Sequence, residues 1–267
     1  MNDVAHRSWT PQPLDPADVT VHRRGKGQPL ILLHCLGMDW HFWDALDPLT
    51  DEFELIAYSL PGHHDTPLPK GQYGEAELSE QLLALMKREG IDRAHIAGIS
   101  MGGSMAQHFA GTYPEMVGRV ILCDCTPRYN DEMRANWPVR AEAARTKGVA
   151  SLIPALEKVF FTQASLDENG PNVRHVKEKW ASCSGEGYAL GCEWLAHVDA
   201  REQAKRMKMP TMILLGSNEG AAFKEAARWM AENIPGSHGI VEVPNAGHAS
   251  VRERPDFVIG EFRRFFG

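Results

Sequence analysis

A serine at the tip of a sharp turn is the feature that most constrains how this chain folds. The turn reads Gly98-Ile99-Ser100-Met101-Gly102, with an apolar run at residues 94–97 before it and a helix-like segment at residues 103–113 after it. A strand, turn and helix of this kind form a nucleophile elbow, in which the backbone is strained and small residues must flank the serine at two positions' distance. The sequence therefore predicts Ser100 as a nucleophile at a helix N-terminus, which favours nearby negative charge.

Short apolar runs alternate with segments of helical spacing along most of the chain. The unbroken run Pro29-Leu30-Ile31-Leu32-Leu33 fits a strand that is buried on both faces. The predicted strands span residues 19–22, 29–33, 53–58, 94–97, 117–123, 211–215 and 239–243, and the predicted helices span residues 40–49, 75–90, 103–113, 223–234 and 255–266. Because strands and helices alternate over short connections, we expect an α/β fold with a mostly parallel sheet flanked by helices.

The alternation stops between residues 128 and 205. This segment is rich in predicted helix, is broken at Pro138 and Gly148, and shows no clear strand pattern. Because it follows the predicted strand at residues 117–123, we expect it to form a helical cap over the carboxyl end of the sheet. The predicted organisation is a core domain of residues 1–127 and 206–267 with a cap domain of residues 128–205.

Composition and charge argue against several classes of protein. The net charge of −7 disfavours a nucleic-acid surface, which would need a basic stripe. No apolar run approaches the length that spans a bilayer, and residues 1–18, interpreted as an irregular arm, lack the apolar core of a signal peptide. The five cysteines include a C-x-C pair but no C-x-x-C, which favours free thiols in a reducing cytoplasm over a metal site. We therefore expect a cytoplasmic protein with no nucleic-acid or membrane partner.

Polar residues fall at the predicted strand ends, where open α/β sheets bind their ligands. These residues are His34, Ser100, Asp124, Glu219 and His248. A serine hydroxyl becomes an effective nucleophile when a base takes its proton, and an acid must hold that base. In this kind of fold the chain order is serine, acid, histidine. Ser100 and His248 satisfy that order with either Asp124 or Glu219 between them.

Several stretches of the chain match motifs of one enzyme family. They are residues 36–43 (Leu-Gly-Met-Asp-Trp-His-Phe-Trp), the elbow with Gly103, residues 136–140 and 186–189 of the predicted cap, residues 244–248 (Pro-Asn-Ala-Gly-His) and the closing helix. On these motifs the chain resembles an α/β-hydrolase, and more narrowly the 3-oxoadipate enol-lactone hydrolases (enol-lactonases) of aromatic degradation. The resemblance covers nearly the whole chain after residue 19.

The resemblance implies further site residues and leaves the acid open. An oxyanion hole needs two backbone donors, which the family takes from the residue after the nucleophile and from the loop after the first long strand; these are Met101 and Leu36 here. The family's acid is usually an aspartate three residues past a glycine, and Glu219 stands at that place. Asp124 instead stands where a dehalogenase-like branch carries its acid. We favour Glu219 and keep Asp124 as the alternative.

Together, these features predict a serine hydrolase that cleaves a carboxylic ester or lactone through an acyl-enzyme, with no metal or organic cofactor. The resemblance implies a small carboxylated enol-lactone as the substrate. In the predicted cap, Arg140 beside Trp137 is the candidate for binding it. Two alternatives stay open: a carbon–carbon bond hydrolase or perhydrolase with the same triad, and a non-catalytic small-molecule receptor on this fold. The sequence also leaves open whether the chain forms a homo-oligomer.

Overall fold

A seven-stranded sheet lies at the centre of the protein, whose computed structural model describes residues 8–267. The first seven residues of the predicted arm lie outside the described part. The strands are β1 (His22–Gly25), β2 (Gln28–Leu33), β3 (Phe53–Ala57), β4 (Ala94–Ile99), β5 (Val117–Cys123), β6 (Thr211–Gly216) and β7 (Ser237–Val243). Their order across the sheet is β1-β3-β2-β4-β5-β6-β7. Only β1 runs antiparallel to its neighbour, so the described sheet is mostly parallel, as predicted.

The central strands form where the sequence has unbroken apolar runs. Leu30 of β2, Ile96 of β4, Leu122 of β5 and Ile213 of β6 are all buried, because helices cover both faces of the sheet there. The predicted bounds of these strands agree with the structure to within two residues. Since the strands are parallel, the loops that follow β2, β4, β5, β6 and β7 meet at one edge of the sheet, and the candidate site residues lie in these loops.

The first strand differs from its prediction. A strand was expected at residues 19–22, but β1 begins at His22 and continues to Gly25. Its partner explains the shift, because His22 pairs with Ala57, the last residue of β3, and residues 19–21 extend past the end of that strand. Pairing with a backbone partner, rather than the alternating pattern at residues 19–22, therefore sets the start of this edge strand.

Helices follow most of the strands. They are α1 (Glu75–Arg88), α2 (Met101–Thr112), α3 (Asp131–Lys147), α4 (Ile153–Phe160), α5 (Gln163–Glu168), α6 (Pro171–Ser182), α7 (Gly185–His197), α8 (Arg201–Ala204), α9 (Ala221–Asn233), α10 (Ser250–Glu253) and α11 (Pro255–Phe266). The segment predicted as helical at residues 40–49 forms a 3-10 helix, Trp40–Asp51, with Pro48 inside it. No helix within residues 8–267 combines the length and the apolar character that crossing a bilayer would require.

Six helices, α3 to α8, are inserted between β5 and β6 and pack over the loops at the carboxyl edge of the sheet. No strand interrupts residues 128–205, all of which the structure describes. Two glycines at that edge show how closely the insert approaches. A Cβ on Gly37 would lie 2.8 Å from Trp180 of α6, and one on Gly62 would lie 2.8 Å from Gly187 of α7. The insert therefore covers the edge of the sheet at which the candidate residues lie.

Candidate active site

Ser100 occupies the sharp turn between β4 and α2. Its backbone has φ +52° and ψ −115°, a conformation that non-glycine residues rarely adopt. The Ser100 N–H donates to the Cys123 carbonyl over 2.9 Å, which ties the turn to the end of β5. A Cβ on Gly98 would collide with the Gly102 carbonyl, and one on Gly102 would collide with the Leu33 carbonyl. Only glycines fit on either side of the serine, as the elbow pattern predicts.

His248 lies between the serine and one of the two candidate acids. Its Nε2 is 2.8 Å from the Ser100 Oγ, and its Nδ1 is 2.7 Å from the Glu219 Oε1. Ser100 is 7% exposed and His248 is 3% exposed, so the hydrogen bonds are shielded from water. Ser100 and His248 are 148 residues apart in the sequence, and Glu219 and His248 are 29 residues apart. The three side chains thus form one continuous hydrogen-bonded chain.

The charge of Glu219 governs the protonation of His248. Burial opposes the imidazolium form, but the adjacent Glu219 carboxylate outweighs burial and raises the pKa of His248 above its ordinary value. Asp124 acts in the same direction, while Arg140 opposes it. An imidazole held in this way accepts a proton readily, which a base beside a hydroxyl must do.

Asp124 supports the two loops that carry Glu219 and His248. Its Oδ1 accepts the Gly216 N–H over 2.8 Å, and its Oδ2 accepts the hydroxyl of Ser250, two residues past His248. The residue is fully buried at φ +42°. Burial, and to a lesser degree the Glu219 charge, raises the pKa of Asp124 to about 7. Both candidate acids therefore lie at the site. Glu219 is the one that is hydrogen bonded to His248.

A third carboxylate connects the histidine loop to the inserted helices. The Glu253 Oε2 accepts the Gly247 N–H over 2.6 Å, directly before His248. Its Oε1 accepts the N–H and the hydroxyl of Thr162 over 2.9 and 2.8 Å, in the loop between α4 and α5. The Ala249 N–H also donates to the Phe160 carbonyl over 2.8 Å. The segment around His248 is therefore fixed to the insert from both sides.

Leu36 lies in the loop after β2, and Met101 directly follows the serine at the start of α2. Within residues 8–267, neither backbone N–H donates to a protein acceptor, so both are free for a ligand. Their side chains converge on α7, where a Cβ on Gly191 would lie 2.5 Å from Leu36 and 3.5 Å from Met101. The loop of Leu36 is held by His34, whose Nδ1 is 2.8 Å from the Cys35 carbonyl and whose Nε2 accepts the Leu60 N–H over 2.8 Å.

Buried histidines beneath this loop stay neutral. Burial lowers the pKa of His34 to about 4 and that of His63 to about 3. A neutral His34 can donate from Nδ1 and accept at Nε2 at the same time, which is what its two partners require. The His34 ring therefore supports the loop of Leu36.

Trp137 and Arg140 both lie on α3, one turn apart. The Arg140 guanidinium carbon is 5.0 Å from the Trp137 ring centroid and 5.5 Å from that of Tyr188. The positive charge of Arg140 is a minor influence that opposes the rise in the pKa of His248. Arg145, further along α3, pairs with Glu186 and Glu193, whereas Arg140 has no ion pair within the described residues.

Aromatic residues around His248 were not among the predicted site residues. The ring centroids of Phe223 and Phe160 lie 4.7 and 5.0 Å from that of His248. Tyr129 is buried and packs edge-on against Phe223, with ring centroids 6.1 Å apart. Tyr129 follows β5 at the same sheet edge as Asp124, so its position at a strand end could have indicated it. Phe223 and Phe160 come from helices, and their sequence gave no such signal.

No group of three or more histidine, cysteine, aspartate or glutamate side chains is arranged to hold a metal ion in the part of the chain that the structure describes. The chemistry that the geometry offers is that of a serine hydroxyl, a base and a carboxylate in hydrogen-bonded contact, beside two unoccupied backbone donors. Such an arrangement can form and break an acyl bond at the serine.

Known proteins show the same architecture. A sequence model of the alpha/beta hydrolase family matches residues 30–261. The chain is 28% identical to 3-oxoadipate enol-lactonase 2 of Acinetobacter baylyi, over 85% of this chain and 84% of the relative. It is 27% identical to the pimeloyl-[acyl-carrier protein] methyl ester esterase of Aeromonas salmonicida, over 93% and 99%. The crystal structure of the enol-lactonase from Burkholderia xenovorans LB400 superimposes with a TM-score of 0.88 at 28% identity, covering 93% of this chain and 96% of that one.

Proposed function

The chain belongs to the alpha/beta hydrolase family, and from this premise we propose that it is a serine hydrolase that cleaves a carboxylic ester or lactone through an acyl-enzyme. The hydrogen-bonded chain from Ser100 through His248 to Glu219 is the observation that carries the proposal. Esterases and lactonases among its relatives are consistent with an ester-hydrolysing enzyme. The proposed catalytic residues are these three, with Asp124 as a positioning residue.

In the proposed mechanism, His248 Nε2 takes the hydroxyl proton while Ser100 Oγ attacks the substrate carbonyl. The oxygen of the tetrahedral intermediate gains negative charge, which the N–H groups of Leu36 and Met101 stabilise. Glu219 holds the imidazolium in its orientation. The protonated His248 then gives its proton to the leaving oxygen, and the acyl group stays on Ser100.

Water repeats the sequence to release the acid. His248 takes a proton from water, the hydroxide attacks the acyl carbonyl, and the proton returns to Ser100 Oγ as the acyl bond breaks. Asp124 takes no proton in this scheme. Instead it accepts hydrogen bonds from the Gly216 N–H and the Ser250 hydroxyl. These bonds hold the two loops in place, so that Glu219 contacts His248.

For the substrate we infer a small lactone or ester that carries a carboxylate. Arg140 supports this inference, because it has no ion pair within residues 8–267 and its positive charge acts on the pKa of His248. Trp137 and Tyr188 hold the guanidinium from its faces by cation–π contact. The names of the 3-oxoadipate enol-lactonases among the relatives agree with a carboxylated lactone, and we propose a role in the degradation of aromatic compounds on that ground.

We further propose that residues 128–205 act as a cap domain over the core, since α3 to α8 roof the loops that carry the site. A cytoplasmic location also stays a prediction. It is supported by the five cysteines, which are all buried and free of disulfides.

A fluorophosphonate probe tests the proposed nucleophile directly, because it reacts with an activated serine without needing the natural substrate. We expect labelling of the wild-type protein and none of Ser100→Ala or His248→Ala. Labelling at an unchanged rate in either variant would contradict the proposal, and a folded wild type that resists the probe would favour the receptor alternative.

A second experiment tests the substrate class. Turnover is compared for a lactone with a carboxylate and for its methyl ester, in wild type and in Arg140→Met. The variant should raise KM for the carboxylated lactone by about tenfold or more, since a charged hydrogen bond contributes about 1.5–3 kcal/mol, and should leave KM for the methyl ester nearly unchanged. The matched control is Arg134→Met, an arginine on the same helix, which should alter neither value. An equal change for both compounds would rule out Arg140 as the carboxylate site.

A further inference from the structure

A solvent-open cleft of about 220 Å³ lies beside the proposed catalytic residues. One wall is the loop after β5 together with the start of α3, and the opposite wall is the first half of α9. The side chains that face into it are mostly apolar, and include Met133 on α3 and Ala222, Ala226 and Trp229 on α9. The cleft therefore runs along the boundary between the inserted helices and the sheet domain.

Tyr129 and Phe223 both line the cleft and are both buried, and the Phe223 ring also contacts a proposed catalytic side chain. Their centroids are 6.1 Å apart in an edge-on arrangement. Phe223 lies against His248, with ring centroids 4.7 Å apart, and His248 contacts Ser100. The Phe223 ring thus lies between the solvent-open cleft and the buried pair of His248 and Ser100. A movement of this ring would connect the cleft to the pair.

Three charged side chains line the cleft: Arg128 and Arg201 are in ion pairs, and Glu225 is acidic. Arg128 pairs with Asp131 at 2.8 Å, and Arg201 pairs with Asp199 at 2.6 Å. Neither guanidinium is therefore available to bind a carboxylate without breaking an ion pair. Arg140, which does not line the cleft, has no such partner within the described residues. The two places consequently suit different chemistry, with an anionic group at Arg140 and a neutral group in the cleft.

We propose that this cleft is the route by which substrate reaches Ser100, and that a neutral apolar or aromatic substituent of the substrate occupies it during the reaction. Tyr129 and Phe223 are then specificity-determining residues, because the position of their rings limits what can extend from the reacting carbonyl into the cleft. An apolar cavity of about 150 Å³ holds a benzene ring, so the space is sufficient for one ring or a short chain. This inference rests on the proposed role of Ser100 as nucleophile.

Blocking the cleft tests the route. Ala226→Trp would fill it from α9, and Met133→Trp would fill it from α3 on the opposite wall. Arg228→Trp is the matched control, because Arg228 is an exposed residue on the same helix that does not line the cleft. The readout is the rate at which a fluorophosphonate–rhodamine probe labels Ser100, with thermal unfolding followed in parallel to show that each variant folds. Both blocking variants should slow labelling at least tenfold, and the control should stay within twofold of wild type.

Opening the inner end tests the specificity. In Phe223→Ala we expect kcat/KM for p-nitrophenyl phenylacetate to rise at least fivefold relative to that for p-nitrophenyl acetate, because the larger acyl group can extend into the cleft. An unchanged ratio would remove Phe223 as a specificity determinant.

The two hypotheses fail in different ways. If wild type and both blocked variants label equally fast, the route is wrong while the nucleophile stands. If folded wild type does not label at all, the nucleophile is wrong and the route falls with it. If one blocked variant unfolds, the other decides, because the two substitutions lie on different helices.

Discussion

The neighbouring strands β5 and β6 each lead into a buried carboxylate, and the two carboxylates do different things. Asp124 comes directly after β5, and its short side chain turns back to the Gly216 N–H and the Ser250 hydroxyl. Glu219 comes three residues after β6, behind a tight turn in which its N–H donates to the Gly216 carbonyl over 2.9 Å. Its longer side chain reaches His248. The same functional group at the same edge of a sheet thus acts on a base in one case and on the backbone in the other, according to the path of the loop.

The largest difference between the two carboxylates is expected in turnover. Glu219→Gln keeps the shape of the side chain but removes the charge that stabilises the His248 imidazolium, so kcat should fall by about 10³–10⁴-fold. Asp124→Asn can still accept the Gly216 N–H through its amide oxygen, so kcat should fall by less than about tenfold. Steady-state kinetics on a p-nitrophenyl ester measure both. The comparison is reversed if Asp124→Asn proves the more damaging of the two in a folded protein.

For the free energy of unfolding, we expect the larger effect at Asp124 and the smaller effect at Glu219. Asp124→Ala leaves the buried Gly216 N–H and Ser250 hydroxyl without an acceptor, which should lower the free energy of unfolding by about 3 kcal/mol. Glu219→Ala leaves Nδ1 of His248 without its hydrogen-bond partner, but it also relieves the repulsion between two buried carboxylates. The free energy of unfolding should therefore fall by about 1 kcal/mol. Urea unfolding of both variants gives the two values. Equal losses would mean that Asp124 does not hold the two loops together.

The pH dependence of the reaction should separate the two carboxylates on a finer scale. The reaction needs neutral His248, whose pKa is raised by Glu219 first and by Asp124 to a lesser degree, so kcat/KM should be lost as the pH falls through a value above 6.5. Without the charge of Glu219, burial lowers the pKa of His248, and the acidic limb in Glu219→Gln should move to lower pH. Asp124→Asn should move it in the same direction by less. A shift to higher pH in either variant would contradict this account of His248.

The smallest effect is expected from the third carboxylate, Glu253, which contacts the backbone next to His248. In Glu253→Gln one of its two oxygens becomes an amide N–H₂ that cannot accept a hydrogen bond from Gly247 or Thr162. We expect kcat to fall by about fivefold with KM unchanged, since about 1 kcal/mol of positioning is lost. Glu232→Gln, an exposed residue of α9, is the control and should behave as wild type. A loss in KM alone would place the effect of Glu253 on substrate binding rather than on His248.

The sequence predicted the elements in which the local residue pattern and the tertiary environment favour the same secondary structure. Residues 117–123 were predicted as a strand and form β5 with those bounds, because the run at residues 120–123 is apolar and buried on both faces. The start of β1 was wrong by three residues, because an edge strand begins where its partner offers a backbone group. The α3 to α8 boundaries had no comparable signal, since helix ends in the insert depend on packing against the core.

The candidate site divides in the same way. Ser100 and His248 could be named from the sequence because each lies in a loop whose backbone demands a particular local pattern. The sequence favoured Glu219 over Asp124 without excluding Asp124, since the choice depends on which loop points its side chain at His248. Tyr129 could have been indicated by its position after β5, whereas Phe223 was missed because an aromatic residue in a helix carries no sign of which ring it will face.

The strained backbone at Ser100 has a consequence for the stability of the fold. A serine at φ +52° stores about 1–3 kcal/mol that a glycine would not, so Ser100→Gly should unfold at a higher temperature than wild type. The residue that the proposed chemistry needs is therefore not the one that the turn would hold with the least strain, and the two melting temperatures measure that difference.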